Sequence, residues 1–355
     1  MSSYIDPRHK ILYHTDRLAA IKAGKKPPPI NIEIDLSNRC SLGCEWCHFA
    51  YTHTRGPLAG KVDTPNGRIP GGDLMDYELA KSIIVQAHEM GVRSITWTGG
   101  GEPTLHPRFD DIVTFAHRHG MPQGLYTNGA HITPERAALL KRVMAWVYVS
   151  LDECEAEMYK ESKGVDKFEV VCQGIENLSA VDGGATVGVG YLLHDQNVIS
   201  MPEMAELALS LGADYVQFRP IVNYSQDAPN EAIDEAGWVD AAIEIFNQVP
   251  DDPRILFDQE RFEMYRDWNG RSYSTCHWTQ VQTVITPNGK VWSCVNKREH
   301  AGALLGDLTE EPLPTIWQRS GACQVDGSCR VMCRGHIANI TLDAIMTEPP
   351  HKEFV

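Results

Sequence analysis

Between residues 30 and 219 the sequence alternates short apolar segments with longer amphipathic ones. The short segments are typical of buried strands, and the longer ones are typical of helices that cover a sheet. Strands are predicted at residues 30–36, 92–98, 123–127, 145–151, 185–193 and 214–219. Because helices separate these six strands, they should pair in parallel through right-handed crossovers. The alternation therefore predicts an α/β fold.

Helices are predicted between these strands, at residues 77–90, 109–119, 134–143, 168–180 and 202–211. Thr133 is placed to cap the third of them, and Pro134 suits its first helical position. Residues 1–30 are predicted to form an N-terminal extension with one helix at 8–23. Residues 221–272 are predicted to form a helical connector with one helix at 235–249.

The pattern changes in the C-terminal part, residues 273–355. An Asn-Gly pair divides the apolar residues of 281–292, which indicates a β-hairpin. Cys276 and Cys294 flank this hairpin, so pairing of its strands would bring the two thiols together. Three further cysteines follow, at Cys323, Cys329 and Cys333. We therefore predict a smaller, cysteine-rich C-terminal domain built on a β-hairpin.

The composition is that of a soluble globular protein, since 43% of the 355 residues are hydrophobic and 22% are charged. The formal net charge of −15 argues against binding to nucleic acid or anionic membranes, because phosphate groups bind clustered Lys and Arg. No apolar segment reaches the roughly 18 residues of a membrane span, and the N-terminus lacks the features of a signal peptide. We therefore expect a cytoplasmic protein. In that compartment, ten cysteines indicate metal or redox chemistry.

Chemically active side chains follow the predicted strands at the points where the strands end. They are Cys40, Glu102, Asn128, Asp152, His194 with Asn197, and Arg219. An α/β barrel has its active site at the carboxyl ends of its strands. All six groups are therefore expected to meet at one mouth of the sheet.

Cys40, Cys44 and Cys47 lie within eight residues, close enough to bind one metal centre. A structural zinc ion takes four ligands, and a ferredoxin-type cluster takes four cysteines, so three thiols are one short. An iron–sulfur cubane held by three thiolates keeps one iron open for another ligand. A zinc knuckle completed by His48 or His53 is the alternative interpretation.

The spacing C-x3-C-x2-C, with Trp46 before the third cysteine, resembles the signature of the radical S-adenosylmethionine (radical SAM) enzymes. Gly100-Gly101-Glu102-Pro103 after the second strand matches the glycine-rich motif of this family, and Ser150-x-Asp152 after the fourth strand matches its ribose- and carboxylate-contacting position. The resemblance covers residues 31–220 and implies a partial (β/α)6 TIM-like barrel of parallel strands. It also implies a [4Fe-4S] cluster with S-adenosylmethionine (SAM) on its open iron.

The resemblance implies a cofactor contact for several residues. Glycines allow close approach of the backbone to the methionyl amino group of SAM, and Glu102 would accept a hydrogen bond from that group. The glycines are Gly99, Gly100 and Gly101. The residues expected at the ribose and the carboxylate are Asn128, Ser150, Asp152 and Arg219, of which Arg219 is chosen for its chemistry and position only.

Structural interpretations of the same residues stay open. Asp152 would also suit a helix N-cap, Asn128 a turn, and Arg219 a surface salt bridge. His194 and Asn197 are predicted to be loop residues rather than substrate ligands.

Two further cysteines, Cys154 and Cys172, are predicted to be structural. Cys172 falls within the apolar pattern of a helix. Cys154 closely follows Asp152, and a role as a hydrogen-atom donor is its alternative.

The C-terminal cysteines resemble the SPASM/Twitch extension, which holds auxiliary iron–sulfur clusters. Cys276, twelve residues, Gly289, four residues and Cys294 match its first half. The spacing C-x5-C-x3-C at Cys323, Cys329 and Cys333 matches much of its second half.

The full SPASM pattern has a further cysteine where this chain has Ser320, and no cysteine follows Cys333. Five thiols are too few to ligate two cubanes. The resemblance therefore implies one auxiliary [4Fe-4S] cluster, held by Cys276, Cys294 and two of the other three cysteines. A single zinc ion with cysteine or His336 ligands is the alternative.

These features together predict a radical SAM oxidoreductase that removes a hydrogen atom from a substrate C–H bond. Oxidation or cross-linking of a small molecule or peptide is the expected outcome, with flavodoxin or ferredoxin as the electron donor. Residues 1–30 are too short for the separate peptide-recognition domain that peptide modifiers of this architecture often carry, which favours a small molecule or a leaderless peptide. Residues 48–75 and 258–273 are the expected substrate walls.

Two alternatives remain open for the function. One is a redox-neutral epimerisation or elimination on a sugar-like molecule, with the second cysteine group only structural. The other is a non-catalytic iron–sulfur or zinc protein used for electron transfer or scaffolding.

Overall fold

One sheet of ten strands organises the chain in a computed structural model, which describes residues 7–44, 46–47, 54–55, 74–221, 237–329, 332–348 and 351. The strands are β1 Asn31–Asp35, β2 Ser94–Thr98, β3 Gln123–Thr127, β4 Trp146–Ser150, β5 Thr186–Leu193, β6 Tyr215–Pro220, β7 Ile255–Phe257, β8 Gln282–Ile285, β9 Lys290–Trp292 and β10 Leu304–Asp307. Their order in the sheet is β10-β9-β8-β1-β2-β3-β4-β5-β6-β7. The expected substrate wall at 48–75 lies outside the described residues except for 54–55 and 74–75.

The six predicted strands are β1 to β6, and all of them pair in parallel with their neighbours along the chain. This confirms the α/β partial barrel. Two further parallel strands extend it, because β7 pairs with β6 and β8 pairs with β1. The predicted hairpin is formed by β8 and the antiparallel β9. It therefore continues the barrel sheet rather than standing apart from it.

Helices cover the sheet and its C-terminal extension. They are α1 Pro7–Leu12, α2 Thr15–Lys22, α3 Tyr77–Met90, α4 Phe109–Arg118, α5 Pro134–Val143, α6 Ala156–Lys163, α7 Phe168–Ser179, α8 Met201–Ser210, α9 Trp238–Phe246, α10 Gln259–Arg266, α11 Leu313–Trp317 and α12 His336–Met346. The bounds of α3 and α5 are those predicted, and the Thr133 hydroxyl caps α5 by accepting from the Arg136 N–H at 3.3 Å. No helix in the described ranges is both long and apolar enough to cross a membrane.

The prediction of one N-terminal helix at 8–23 is wrong, because the chain turns at Tyr13 and His14 and forms α1 and α2. The turn lets Ile11 and Leu18 reach one apolar surface together with Val281 and Leu342 of the C-terminal part. Tertiary packing therefore overrides a pattern that would suit a single helix.

Aromatic side chains from β3, β4 and β6 cluster on the inner face of the barrel. Along β4, Trp146 and Tyr148 point inward, and each ring occupies space left by a glycine on a neighbouring strand. A Cβ atom on Gly124 would lie 2.1 Å from the Trp146 ring, and one on Gly190 would lie 2.3 Å from the Tyr148 hydroxyl. These glycines let large rings fill the lumen below the strand ends.

A buried ion network joins β1 to the C-terminal part of the chain. The Arg298 guanidinium is fully buried and donates to Asp35 through Nε at 2.7 Å and Nη2 at 3.0 Å. Glu33 lies 3.5 Å from Arg298 and 2.5 Å from Arg334, and it also accepts from the Gln282 amide. The buried carboxylates of Asp35 and Glu33 are thus balanced by the buried Arg298 and the exposed Arg334, which makes the burial of the two carboxylates tolerable.

Replacing Arg298 by Met should destabilise the protein strongly, because the Asp35 carboxylate would stay buried without its partner. We expect the free energy of unfolding to fall by about 3–5 kcal/mol in urea denaturation of the iron-free protein. The matched control is Arg254→Met, since Arg254 pairs with Asp252 on the surface at 2.6 Å and should leave stability unchanged. Equal stabilities for the two variants would contradict a structural role for the network.

Candidate active site

A cavity of about 370 Å³ lies at the carboxyl ends of the parallel strands. Five of the six groups that were predicted to follow strand ends line it, namely Cys40, Glu102, Asn128, Asp152 and Arg219. Cys44, Cys47, Ser150, Lys163, Arg261, Asn296 and Arg334 also line it. The cavity is therefore shared by the barrel and by residues next to the C-terminal cysteines.

The cysteine loop that follows β1 presents three half-buried free thiols to this cavity. Cys40 accepts a hydrogen bond from the Leu42 N–H at 3.5 Å. Burial raises the pKa of Cys40 to about 12, and the charges of Glu102, Cys44 and Cys47 act in the same direction. Three thiolates can be stable here only with a cation among them, because metal binding deprotonates cysteine ligands.

The glycine-rich turn after β2 packs directly against the backbone that leads into Cys40. A Cβ atom on Gly101 would lie 2.3 Å from the Arg39 carbonyl oxygen, and the Glu102 N–H donates to that oxygen at 2.7 Å. Gly99 and Gly101 line the cavity, whereas Gly100 does not. Position 101 thus requires glycine, because any side chain there would clash with the backbone at Arg39, where the two segments cross.

Glu102 is almost completely buried and holds the strand ends together. One carboxylate oxygen accepts from the Thr104 N–H at 3.1 Å, the Thr104 hydroxyl at 2.6 Å and the Thr127 hydroxyl at 2.8 Å, and the other accepts from the Asn128 N–H at 2.7 Å. Burial raises the pKa of Glu102, and hydrogen bonds from Asn128, Thr104 and Thr127 oppose the shift. The second oxygen keeps room for one more donor.

Asn128 connects this turn to the cysteine loop. Its side-chain amide lies 3.8 Å from the Cys40 sulfur and 3.4 Å from the Ser41 hydroxyl, and its oxygen accepts from the Ala130 N–H at 3.0 Å. The turn-forming interpretation of Asn128 therefore holds, and the same residue also contacts a thiol of the cysteine loop.

Asp152 and Lys163 form a buried ion pair that the sequence did not indicate. Their side chains are 3% and 2% exposed, and Lys163 Nζ lies 2.5 Å from the Asp152 carboxylate. Burial lowers the pKa of Lys163, but Asp152 and the Cys44 thiol outweigh burial and raise it above its ordinary value. The Gly43 N–H donates to the Lys163 carbonyl at 2.7 Å. The pair thus fixes a cation beside the cysteine loop.

Asp152 is not a helix N-cap, because α6 begins at Ala156 and its N-cap is Glu155. Its backbone has a φ of +64°, a left-handed conformation that is uncommon for aspartate. The carboxylate accepts from the Leu192 N–H at 3.0 Å as well as from Lys163. This backbone conformation places Asp152 on the cavity wall beside Ser150.

Arg219 lies at the end of β6, where its guanidinium is 4.7 Å from the centre of the Tyr148 ring. Its Nε atom is buried and has no hydrogen-bond partner among the described residues. The interpretation of Arg219 as a surface salt-bridge residue is therefore wrong.

His194 and Asn197 organise the loop after β5, as predicted. Asn197 is fully buried, accepts from the His194 N–H at 2.9 Å and donates to the Leu192 carbonyl at 2.9 Å. His194 packs against the Trp46 ring with centroids 4.6 Å apart. Neither residue is among those that line the cavity.

Cys154 and Cys172 both belong to the interior around the barrel. Cys172 is buried in α7 within the hydrophobic core, and the half-buried Cys154 packs against that core. Neither thiol is among the residues that line the cavity, which agrees with the structural interpretation of both.

The C-terminal cysteines gather beside the barrel. Cys276 and Cys323 face each other across a two-residue antiparallel pairing. The Cys276 thiol donates a hydrogen bond to the Cys323 sulfur, which raises the pKa of Cys276, and burial and the charges of Cys323, Cys333 and Cys294 add to the rise. These four thiols therefore lie close together.

Cys329 has different neighbours. Its sulfur accepts from the Asp326 N–H at 3.5 Å, and it interacts with Lys297 and Cys333. His336, the alternative zinc ligand, has its Nδ1 2.9 Å from the Tyr273 hydroxyl. Both residues thus have protein partners of their own.

The donor sets fit iron–sulfur clusters better than single metal ions. Within the described residues, no three Cys, His, Asp or Glu side chains converge as the ligands of one ion would. In a cubane each thiolate binds a different iron, so its sulfur atoms remain apart. His48 and His53, the alternative zinc ligands at the first group, lie outside the described residues.

Comparison with known proteins agrees with this geometry. Residues 34–208 match the radical SAM superfamily, and residues 276–335 match the SPASM iron–sulfur cluster-binding domain. The mycofactocin maturase MftC of Mycobacterium ulcerans is 30% identical over 330 residues, which are 86% of this chain and 82% of the relative. The PqqA peptide cyclase of Streptomyces rochei is 25% identical over 353 residues, 92% of each chain.

A solved structure shares the fold at lower identity. SuiB of Streptococcus suis bound to its precursor peptide SuiA has a TM-score of 0.61 at 14% identity, over 89% of this chain and 71% of that one. The partial barrel with a cysteine loop at its mouth and a second cysteine group beside it defines a class of iron–sulfur enzymes. This chain belongs to the radical SAM superfamily, in the group that carries a SPASM domain. Its cofactors are a [4Fe-4S] cluster, SAM and auxiliary iron–sulfur in the C-terminal domain.

Changing Glu102 to Gln should loosen the turn beside Cys40. If the Gln oxygen keeps the bonds from Thr104 and Thr127, its NH2 group faces the Asn128 N–H, and two donors meet. One buried hydrogen bond is then lost, which should lower the free energy of unfolding of the iron-free protein by about 1–3 kcal/mol. Glu78→Gln on the exposed face of α3 is the control and should change nothing measurable in the same urea titration. Matching midpoints would refute the positioning role of Glu102.

Proposed function

We propose that this enzyme binds SAM at the Cys40–Cys47 loop, cleaves it reductively, and removes a hydrogen atom from a C–H bond of a peptide held in the same cavity. Oxidation or cross-linking of the peptide is the net result. One observation carries the proposal: a single cavity is lined by all three cysteines of the barrel and by Asn296 and Arg334, which lie within two residues of Cys294 and Cys333. A substrate in that cavity would lie between the two cysteine groups.

When bound, the cluster and SAM supply a 5′-deoxyadenosyl radical that takes the hydrogen atom. The chain's own residues bind and orient. Cys40, Cys44 and Cys47 would ligate three irons, and the Asn128 amide would donate toward the Cys40 thiolate. Such donation from outside the ligand shell tunes a cluster and fixes its ligands.

The glycine-rich turn and β4 supply the proposed contacts to SAM. The second oxygen of Glu102 can accept from the methionyl amino group, beside the backbone at 99–101. Ser150, Asp152 and Asn128 are proposed at the ribose and the carboxylate. We add Lys163 to this set, because it is a buried cation next to the cysteine loop and lines the cavity. A cation there suits the carboxylate of the cofactor.

We propose one auxiliary [4Fe-4S] cluster, with Cys276, Cys294, Cys323 and Cys333 as its ligands. The pairing of Cys276 with Cys323 and the electrostatic interactions of both Cys276 and Cys294 with Cys333 support this set. Cys329 is left out, because its sulfur is engaged by the Asp326 N–H and Lys297. The cluster would accept the electron that an oxidised substrate gives up, and flavodoxin or ferredoxin is the proposed donor to the first cluster.

The similar proteins favour a peptide over a small molecule as the substrate. The short segment 1–30 had favoured a small molecule or a leaderless peptide. The names of the similar proteins from Mycobacterium ulcerans and Streptomyces rochei describe a mycofactocin maturase and a peptide cyclase. Aromatic side chains of Trp46 and Tyr126 on the cavity wall suit a peptide side chain.

Replacing Cys40, Cys44 and Cys47 together by Ala should abolish SAM cleavage while leaving the second cluster. Anaerobically reconstituted wild type should hold about eight irons and the triple variant about four. With dithionite and SAM, wild type should form 5′-deoxyadenosine and the variant should form none, as measured by chromatography. An iron-loaded wild type that never forms 5′-deoxyadenosine would overturn the proposed function. A triple variant that holds no iron would contradict the proposed auxiliary cluster.

Single Cys→Ser changes in that triple variant should identify the auxiliary ligands. Loss of Cys276, Cys294, Cys323 or Cys333 should lower the iron content well below about four per chain, because this cluster has no SAM to occupy an iron that loses its thiolate. Cys329→Ser is the matched control and should keep the full content and the same electron paramagnetic resonance spectrum after reduction. If Cys329→Ser loses iron and Cys323→Ser retains it, Cys329 is a ligand of the cluster in place of Cys323.

A further inference from the structure

Arg219, Arg261 and Arg334 bring three guanidiniums to one side of the cavity. The same three residues also line a small adjoining cavity of about 40 Å³, together with Cys333. They come from three separate parts of the chain, namely the end of β6, α10 and the segment just before α12. The side of the cavity that faces the auxiliary cysteines is therefore rich in positive charge.

The Arg219 charge is not balanced by the carboxylates around it. The two carboxylates that line the larger cavity in the described part of the chain are Glu102 and Asp152, and both are engaged. Asp152 is paired with Lys163, and Glu102 accepts hydrogen bonds from Thr104, Thr127 and Asn128. The Arg219 guanidinium rests on the Tyr148 ring instead, with its Nε buried and unbonded within the described residues.

The other cations of this region differ from Arg219 in this respect. Arg334 is bound to Glu33 at 2.5 Å, and Lys163 is bound to Asp152 at the same distance. In the small cavity, Asp258 is the acidic residue, and it caps α10 by accepting from the Arg261 N–H at 3.3 Å. Among the described residues that line the small cavity, three guanidiniums therefore lie beside one carboxylate, and Arg334 is bound to Glu33 outside that lining.

Lys163 and Arg219 differ in their second neighbours, although both line the larger cavity. Lys163 is the cation next to the cysteine loop, where its carbonyl accepts from Gly43 and its Nζ lies 5.9 Å from the Trp46 ring centre. Arg219 shares its small cavity with Cys333 and Arg334 instead. Lys163 does not line this small cavity, so of these two cations only Arg219 is shared with the side that carries Cys333.

We propose that Arg219, assisted by Arg334 and Arg261, binds a carboxylate of the peptide substrate and holds it at the auxiliary side of the cavity. This assignment rests on the proposed function and moves Arg219 from the cofactor, where the sequence had suggested it, to the substrate. A guanidinium suits this role because its fork of N–H donors matches both oxygens of a carboxylate. The contact of the guanidinium with the Tyr148 ring, 4.7 Å from its centre, favours one position of the fork.

The test uses three mixed-sequence pools of N-acetyl tripeptides with the anaerobically reconstituted holoenzyme and SAM. One pool has a free C-terminal carboxylate and no Asp or Glu, one has a C-terminal amide and a central Glu, and one has an amide and no acidic residue. Retention after ultrafiltration is measured by mass spectrometry. At least one acidic pool should be retained about tenfold more strongly than the neutral pool. The retained pool tells a terminal carboxylate from an acidic side chain.

In Arg219→Gln the roughly tenfold stronger retention of the acidic pool should disappear, while SAM binds as it does to wild type. Arg219→Lys should keep part of the preference for the acidic pool, because it keeps the positive charge. Arg254→Gln, which removes a surface charge, should behave as wild type. Equal retention of all pools by wild type, an unchanged preference in Arg219→Gln, or a loss of SAM affinity in both Arg219 variants would overturn the proposal. Formation of 5′-deoxyadenosine by wild type separates the two ideas, since its absence counts against the proposed function and its presence without a pool preference counts against Arg219 alone.

Discussion

A buried ion network on one strand joins the two cysteine-bearing parts of this enzyme. Glu33 and Asp35 lie on β1, the strand that leads into Cys40. Their partners Arg298 and Arg334 lie within four residues of Cys294 and Cys333. Removing one member would leave a buried charge, so the network resists partial breakage. The geometry of the cavity depends on this network. Cys40 and Arg334 both line the cavity, and the network connects the strand that leads into Cys40 with Arg334.

The barrel supplies the rest of the site through contacts between strand ends. Glu102 joins the ends of β2 and β3, and Gly101 lets that turn lie against the backbone at Arg39. The Asp152–Lys163 pair joins the end of β4 to the last residue of α6, whose carbonyl in turn binds the cysteine loop. Buried carboxylates thus tie the end of β2 to the end of β3, and the end of β4 to β5. Such satisfied networks favour one arrangement of a site over its alternatives.

The sequence predicted the parts of this structure that depend on local pattern. The helix α5 follows from Thr133 and Pro134, whose capping roles depend only on neighbouring residues. The six strands follow from apolar segments between helices, and the cysteine and glycine motifs from their spacing. The two-helix form of the N-terminus was not predictable in this way, because Ile11 and Leu18 reach their surface only through residues near the other end of the chain.

The same limit explains what was missed in the site. Lys163 looks like an ordinary surface lysine at the end of a polar helix, and only its burial beside Asp152 distinguishes it. Arg298 meets Asp35 across 263 residues of sequence, a distance at which no motif links them. β7 has three residues, too few to establish an alternating pattern. In each case the structure depends on an ion pair or a tertiary contact. Neither kind of interaction produces a periodic pattern in the local sequence.

The pairing of β1 with β8 bears on how the protein assembles. Glu33 on β1 accepts a hydrogen bond from Gln282 on β8, and 249 positions separate the two residues in the sequence. β1 can therefore pair with β8 only after most of the chain has been synthesised. Contacts of such long range are slow to form, because a large loop must close before they stabilise anything. The cysteine loop directly follows this strand. The strand that leads into the first cysteine group is therefore completed on one side only by the part of the chain that carries the second group.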